Sequence, residues 1–472
     1  MHGTAGTSSD GPADGVLPSG RHSLSREQVA VNQRKRLMDA TIELVGEQGY
    51  VATTVSEVVE RAGVSRKAFY EHYANKQECF LATYDAIVAE NIDRVASAAG
   101  TGGGLRERES YGLETLFGRV LAHRQRARLV LVEAGAAGAA GLVRRERLIG
   151  AYEGLLRENL GVAPRPGTIP NPLLRAIVGG MLKVLYTRVQ AGALAQLSAL
   201  TGDLVAWSFS YDPLPEAMDA IKELSPASPP AALSGGRAPG TLSPGSTSSR
   251  RRRANRRTPS VSRSFVAHSQ RERILDAVAQ LSAAGGYATF TVNDIAAHAT
   301  VSLEAFYEHF SDKEDAFLLA YEVGHGKGLA IVERAHDAQP DWPTGVRAGI
   351  AALFGFLAGE PAFAHMALVD ALIATPRTAE RSNKGMIPYA ELLAGGPDQA
   401  SDDGRPPEVT IEAIAGGIFE LCLTYTVRGQ VSELSELAPW ATYFALAPFM
   451  GAEQAAIIAT APEAHYAAEG AS

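Results

Sequence analysis

In the stretch QRKRLMDATIELVGEQG, Leu37, Ala40, Thr41, Leu44 and Val45 recur at helical spacing, which predicts an amphipathic helix stopped at Gly49. The next stretch, TTVSEVVERAG, opens with Thr54 as N-cap and Glu57 three residues on, and it ends at Gly63. A third, short helix starts from a Ser65 cap, with Phe69 and Tyr73 one turn apart and directed inward. Long Ala/Leu-rich amphipathic segments fill the rest. Pro-rich breaks (VAPRPGTIPNP and DDGRPPE) stand before the last helices of each half. The pattern predicts an all-α chain.

The same pattern returns 237 residues later. Sliding 33–84 onto 270–321 gives 22 identities in 52 positions without a gap. FTVNDIAAHAT repeats the second helix, with Thr291 and Asp294 as its capping pair, and Ser269 with Glu272 predicts a capping box ahead of the matching first helix. The shift persists: LVEA at 131–134 meets LVDA at 368–371, Tyr152 meets Tyr389, AIVGG at 176–180 meets AIAGG at 413–417, and Gly192 meets Gly429. This is duplication of a whole unit of about 190 residues rather than a short solenoid repeat. The expected organisation is a tail at 1–24, a first head at 25–80 and its helical domain at 81–224. A Pro/Gly/Ser-rich basic linker follows at 225–268, then a second head at 269–317 and its helical domain at 318–460.

Composition narrows the class. Length 472 with 46% hydrophobic residues suits two or more packed domains. Cys79 and Cys422 give no disulfide framework and no metal spacing, so no metal and no cofactor is expected. The first twenty residues lack an apolar run, and no stretch approaches a ~20-residue span, so a soluble cytoplasmic protein without membrane contact is expected. Net charge is −8, yet six arginines crowd into RRRRANRR at 250–257, including Arg250, Arg251, Arg252 and Arg253. Ahead of the second head such an arm can enter a minor groove or lie on phosphates. There is no Ser/His/Asp set, P-loop or dinucleotide fingerprint, so an enzyme is not expected.

Two short helices joined by a Gly-Val-Ser turn form a helix-turn-helix, whose second helix enters the DNA major groove. Arg66 and Lys67 occupy its first turn, where such side chains donate to guanine O6/N7. Tyr70, His72 and Lys76 are candidates for phosphate contact, as is Thr54 at a helix N-terminus. The whole stretch, with VSRKAFYEHYANK and its repeat VSLEAFYEHFSDK, resembles the DNA-binding domain of tetracycline-repressor-type (TetR/AcrR) regulators. By position the resemblance implies DNA contacts at Thr54, Ser65, Arg66, Lys67, Tyr70, His72 and Lys76. It implies the same for Thr291, Ser302, Leu303, Glu304, Tyr307, His309 and Lys313 in the repeat.

The resemblance further implies a helical effector and dimerisation domain behind each head, an unknown small-molecule effector, and repression relieved by that ligand. With two subunit-like units in one chain, the expected architecture is an intramolecular pseudo-dimer, 173–192 and 197–211 packing on 408–429 and 434–450. Leu303 and Glu304 replace Arg66 and Lys67, so the heads are expected to read an asymmetric operator. The competing reading is a ligand-binding or protein-interaction module in which one or both heads no longer bind DNA. Glu133 and Asp370 hold equivalent places in apolar helices. They either line an effector pocket with Tyr152 and Tyr389, or cap or pair structurally.

Overall fold

The computed structural model describes residues 25–159, 172–211, 214–219, 263–399 and 406–462. The arginine run, the 1–24 tail and most of the expected linker lie outside the described residues. The first unit comprises α1 (Arg26–Ala52), α2 (Val55–Ala62), α3 (Arg66–His72), α4 (Lys76–Ala99), α5 (Leu105–Ala122), α6 (Arg124–Leu131), α7 (Ala139–Asn159), α8 (Pro172–Gln190), α9 (Leu197–Ser208) and the short α10 (Glu216–Asp219). The second comprises α11 (Arg263–Gly285), α12 (Val292–Ala299), α13 (Leu303–His309), α14 (Lys313–Asp337), α15 (Trp342–Gly359) and the short α16 (Pro361–His365) and α17 (Ala371–Ile373). It continues through α18 (Pro376–Gly385), α19 (Ile387–Glu391), α20 (Thr410–Val427), α21 (Ala438–Met450) and α22 (Ala452–Thr460). No strand occurs among the described residues.

The first head closes as its periodicity requires. Leu37, Ala40, Leu44, Val58, Ala62, Phe69 and Tyr73 form one small core, and burying a ring such as Phe69 contributes roughly 1.5–3 kcal/mol. Gly49, at φ +83°, bends α1 near its end, a conformation open to glycine. In the second unit α11 already begins at Arg263, so Ser269 lies inside the helix and caps nothing. Glu272 instead sits 3.1 Å from His268 one turn away. The expected head–body boundaries at 80/81 and 317/318 fall within α4 and α14, which run unbroken from each head into its body.

The two units meet along α8 and α20, with α9 and α21 flanking them. Glycine pairs let the two backbones touch. A Cβ on Gly180 would collide with the Ala413 carbonyl oxygen and Trp207, and one on Gly417 with the Ala176 carbonyl oxygen and Phe444. These two sets of contacts are related by the same shift of 237. Tyr211 Oη donates to the Phe444 carbonyl at 3.1 Å, and Tyr443 Oη to the Tyr211 carbonyl at 3.2 Å. One hydrophobic core runs through both bodies. Among the described residues α20 is apolar and long enough to cross a membrane. The sequence pattern alone did not bring that out; 67% of the helix is buried inside the protein, so its hydrophobicity belongs to the core.

Candidate nucleic-acid interface

The two helices of the first head are set by their caps. Thr54 Oγ1 accepts from the Glu57 amide, while the Thr54 N–H and hydroxyl both donate to the Glu57 carboxylate at 2.8 Å. Those bonds hold the Glu57 carboxyl below its ordinary range. Gly63 then turns the chain at φ +59°, and Ser65 Oγ accepts from the Ala68 amide at 3.1 Å to start α3. The second head repeats this with Thr291 on Asp294 and Ser302 on Ala305.

On α3, Ala68 and Phe69 are buried, so Arg66, Lys67, Tyr70 and Glu71 face solvent together. The Arg66 guanidinium lies 5.9 Å from the Tyr70 ring, and Lys67 approaches Glu71 at 3.9 Å, an exposed pair that contributes little to stability. Both cations are therefore exposed on the first turn of α3. On α13 the same scaffold presents Leu303, Glu304 and Tyr307, all exposed, with Phe306 in the core.

Several residues expected to reach phosphate are engaged elsewhere. Lys76 Nζ donates to the Tyr50 and Thr53 carbonyls at 2.9 and 2.8 Å and stands 4.2 Å from the Tyr50 ring centroid. Burial holds its ammonium below the usual lysine value. Lys313 repeats this on the Tyr287 and Phe290 carbonyls, both at 2.9 Å. Each lysine satisfies orphan carbonyls where its head's first helix ends, locking that helix to the next unit of structure. The donors of Thr54 and Thr291 point at their own N3 carboxylates. His72 Nε2–H donates to Gln33 Oε1 at 3.0 Å, tying α3 to α1, and burial lowers its pKa. His309 has its Nε2 buried beside α11 without that bond.

Behind the heads, Tyr152 and Tyr389 each line a cavity, and the two cavities occupy equivalent places under the shift of 237. The second unit's is about 140 Å³ and the first unit's about 70 Å³. In the first unit Arg119 Nε donates to Asn91 Oδ1, with Glu90 beside the guanidinium at 2.9 Å. The second unit has Phe356 and Gly328 at those two positions, and the Phe356 ring packs over Gly328 and lines the cavity, with no polar side chain at either position. Glu109, buried in the first cavity's wall, accepts from the Ser208 hydroxyl, and burial pushes its carboxyl up to about 7. Val346 stands in its place in the second unit.

Neither Glu133 nor Asp370 lines these two cavities; Glu133 borders a wider cleft of about 1350 Å³ between the units, shared with Lys183, Arg188 and Glu412. Glu133 Oε2 accepts from the Tyr50 amide at 2.9 Å, just past the Gly49 bend, and its other oxygen faces Arg128. Asp370 faces Gly286 and the Tyr287 backbone in the second unit, with His365 Nδ1 3.8 Å away, and burial raises its pKa. These carboxylates join body to head. The joint was invisible to sequence reasoning because its partner is a backbone amide 83 residues away.

The family model for bacterial regulatory proteins of the tetR family matches residues 37–83 and again 274–320. The HTH-type transcriptional regulator BetI of Rhizobium meliloti (strain 1021) is 31% identical over 85 residues, 18% of this chain and 42% of that protein. The HTH-type transcriptional activator FasR of Mycolicibacterium smegmatis is 29% identical over 100 residues, 21% of this chain and 46% of that protein. The chain thus spans less than half the length of these curated relatives. Among solved structures, the fatty acid degradation regulator FadR of Bacillus halodurans is 16% identical, with 37% of this chain and 94% of that one covered and a TM-score of 0.34. A TetR family transcription regulator of Marinobacter aquaeolei VT8 is 21% identical, with 38% and 96% covered and a TM-score of 0.32. The two matches to the family model lie 237 residues apart, each on a capped helix-turn-helix head, so the chain carries two tetR-family segments in tandem.

Proposed function

We propose that the chain is a cytoplasmic, sequence-specific DNA-binding regulator in which one polypeptide supplies both heads of the DNA-binding species. The α8–α20 seam takes the place of a subunit interface, making the chain an intramolecular pseudo-dimer. The single observation carrying the reading is the contrast on a shared scaffold: exposed Arg66 and Lys67 on α3 against exposed Leu303 and Glu304 on α13. Arg66 and Lys67 suit guanine acceptors. Leu303 suits a thymine methyl and Glu304 a cytosine amino group. The operator is therefore asymmetric, one half-site for each head. Ser65, Tyr70, Ser302 and Tyr307 border those base-facing turns, and the arginine run at 250–257 supplies a sequence-independent arm. The retained capping boxes and exposed Tyr307 favour a second head that still binds DNA over one kept only for packing.

The effector enters the second unit. Its cavity is the roomier, and its walls are apolar apart from a few side chains such as His325, Tyr321 and Tyr389. His325 Nε2 bonds to the Gly385 carbonyl at 2.7 Å and its ring stacks on Tyr321. The segment Met366–Asp370 connects the cavity wall at Ala367 and Leu368 to the head joint at Asp370, so a ligand that displaces the wall also moves the second head. Release of DNA on ligand binding is the expected outcome. Selection of binding sites from random DNA with the full chain tests the reading. Recovery of sites with two unlike halves is expected; recovery of perfect palindromes alone, from a chain that is monomeric on the DNA, overturns it.

A further inference from the structure

Under the shift of 237 every residue of α8 after Pro172 has a counterpart in α20, and the backbone seam is close to two-fold. Gly179 packs on the Glu420 side chain, and its counterpart Gly416 packs on Lys183, the counterpart of Glu420. The charges on this symmetric frame are not symmetric. Arg175, Lys183 and Arg188 in the first unit stand where the second has Glu412, Glu420 and Tyr425. Across the seam Arg188 Nη1 donates to both oxygens of Glu412 at 2.9 and 3.2 Å. Glu420, fully buried, receives Arg145 at 2.7 Å and Arg175 at 3.7 Å. Arg175 also donates to the Thr424 hydroxyl at 2.9 Å, and Arg428 reaches back to Glu146 at 2.6 Å.

The same frame shows what self-pairing would do. Two first units would set Arg188 against Arg175 at both ends of the seam. Lys183 would replace Glu420 beside Arg145 and Arg175, so that three cations share only Glu146 and Glu153, the first unit's own partners of Arg175. Two second units would bury Glu420 against Glu412, and the counterparts of Arg145 and Glu146 are Ser382 and Asn383, which bring no cation. A buried charge stripped of its partner is strongly destabilising, and discrimination between partners often rests on such repulsive arrangements. The glycines that permit close approach are kept in both units, while the charges beside them have diverged.

We infer that the seam is a charge-coded heterologous interface: the first unit pairs with the second and neither pairs with a copy of itself. This rests on the intramolecular pairing proposed above. Two chains that meet through this surface do so crosswise, first unit to second, so each assembled pair presents one head of each kind. An operator with two unlike halves then faces no competing species with two like heads.

The test uses the full chain with a protease site placed in the 225–262 segment. After cutting, one preparation carrying a mass tag on its second unit is incubated with an untagged one and read by native mass spectrometry. Transfer of tagged second units onto untagged first units shows that exchange occurs. Under that exchange only first–second pairs are expected. First–first or second–second pairs overturn the charge code while leaving intramolecular pairing intact; separation of the cut halves into monomers overturns the pairing itself. A second arm uses Arg188→Glu, whose side chain and partner are both partly exposed and do not anchor the core. R188E should weaken the cut pair about tenfold, and R188E/E412R should recover most of that loss. A double variant no tighter than the single one sinks the inference.

Discussion

The two equivalent cavities of the bodies descend from one pattern, yet they differ in the residues along one side. In the first unit Arg119, Asn91 and Glu90 form a hydrogen-bonded plug, and Glu109 occupies the wall. In the second unit Phe356, Gly328, Lys327 and Val346 hold these places and the space doubles. A duplicated fold thus keeps its frame of glycines and caps and diverges at the cavity walls, the seam charges and the exposed first turn of the third helix of each head. The largest test of this contrast is to rebuild the first unit's plug in the second. An apolar cavity of this size accommodates a molecule such as benzene or indole. Such probes should raise the unfolding temperature of the full chain, and G328N/F356R should abolish the rise. A shift that survives the double variant would place the binding site elsewhere.

Glu109 gives the next largest effect. Burial raises its folded pKa to about 7, above the ordinary 4.5, so the folded state favours the protonated carboxyl. The stabilisation is complete below pH 4.5, declines as pH rises and is gone above about 7. The swing is about 3 kcal/mol, since a tenfold change in a proton-binding constant corresponds to about 1.4 kcal/mol. Urea unfolding of the wild type against E109Q at pH 5 and pH 8 measures it. The wild type should lose stability relative to E109Q on going to pH 8, whereas Val346→Ile, at the matching place in the second unit, should show no such pH dependence. A difference between wild type and E109Q that stays flat with pH would mean that water reaches the first cavity.

The heads were legible in the sequence almost residue by residue. The Thr54–Glu57 and Thr291–Asp294 boxes, the Gly63 turn and the inward Phe69 and Tyr73 are local signals, and local rules read them. The roles of Lys76, His72 and Glu133 were not legible. Each is settled by an acceptor or donor brought in by tertiary packing: carbonyls at the end of α1, Gln33, the Tyr50 amide. The charge pattern of the seam was present in the sequence. Comparing the sign of charge, rather than identity, at positions 237 apart would have exposed Arg175 against Glu412 and Lys183 against Glu420.

At the exposed first turns of α3 and α13, where DNA contact is proposed, the contrast should appear as unequal losses. Arg66→Ala should weaken the operator by roughly 1–3 kcal/mol and relax one base position, by losing a bidentate contact to guanine. Leu303→Ala should cost less, since only an apolar contact with a thymine methyl is removed. Gel shifts on a selected site and on its single-base variants measure both. Equal losses at the two positions would mean that the heads read by the same chemistry. Lys76→Ala should act mainly through stability, lowering the unfolding midpoint along with binding, because its ammonium caps backbone carbonyls.

The smallest difference lies in the turn itself. Gly63 sits at φ +59° and its counterpart Thr300 at φ +55°, the one non-glycine residue with positive φ among those described. Both carbonyls accept from an arginine of the head's first helix, Arg36 at 3.0 Å and Arg273 at 3.2 Å, so the turn has the same anchor in each head. A β-branched residue in the left-handed region costs roughly 1–2 kcal/mol, while glycine adds back part of that through the entropy of the unfolded chain. Thr300→Gly should therefore stabilise the second head by about 1 kcal/mol, seen as slower amide exchange in α12 and α13. Gly63→Thr should destabilise the first head by more, because a Cβ there also meets the Arg36 guanidinium. If Thr300→Gly is neutral or destabilising, the second head has relaxed around its threonine and the two turns are not equivalent in energy despite their matching angles.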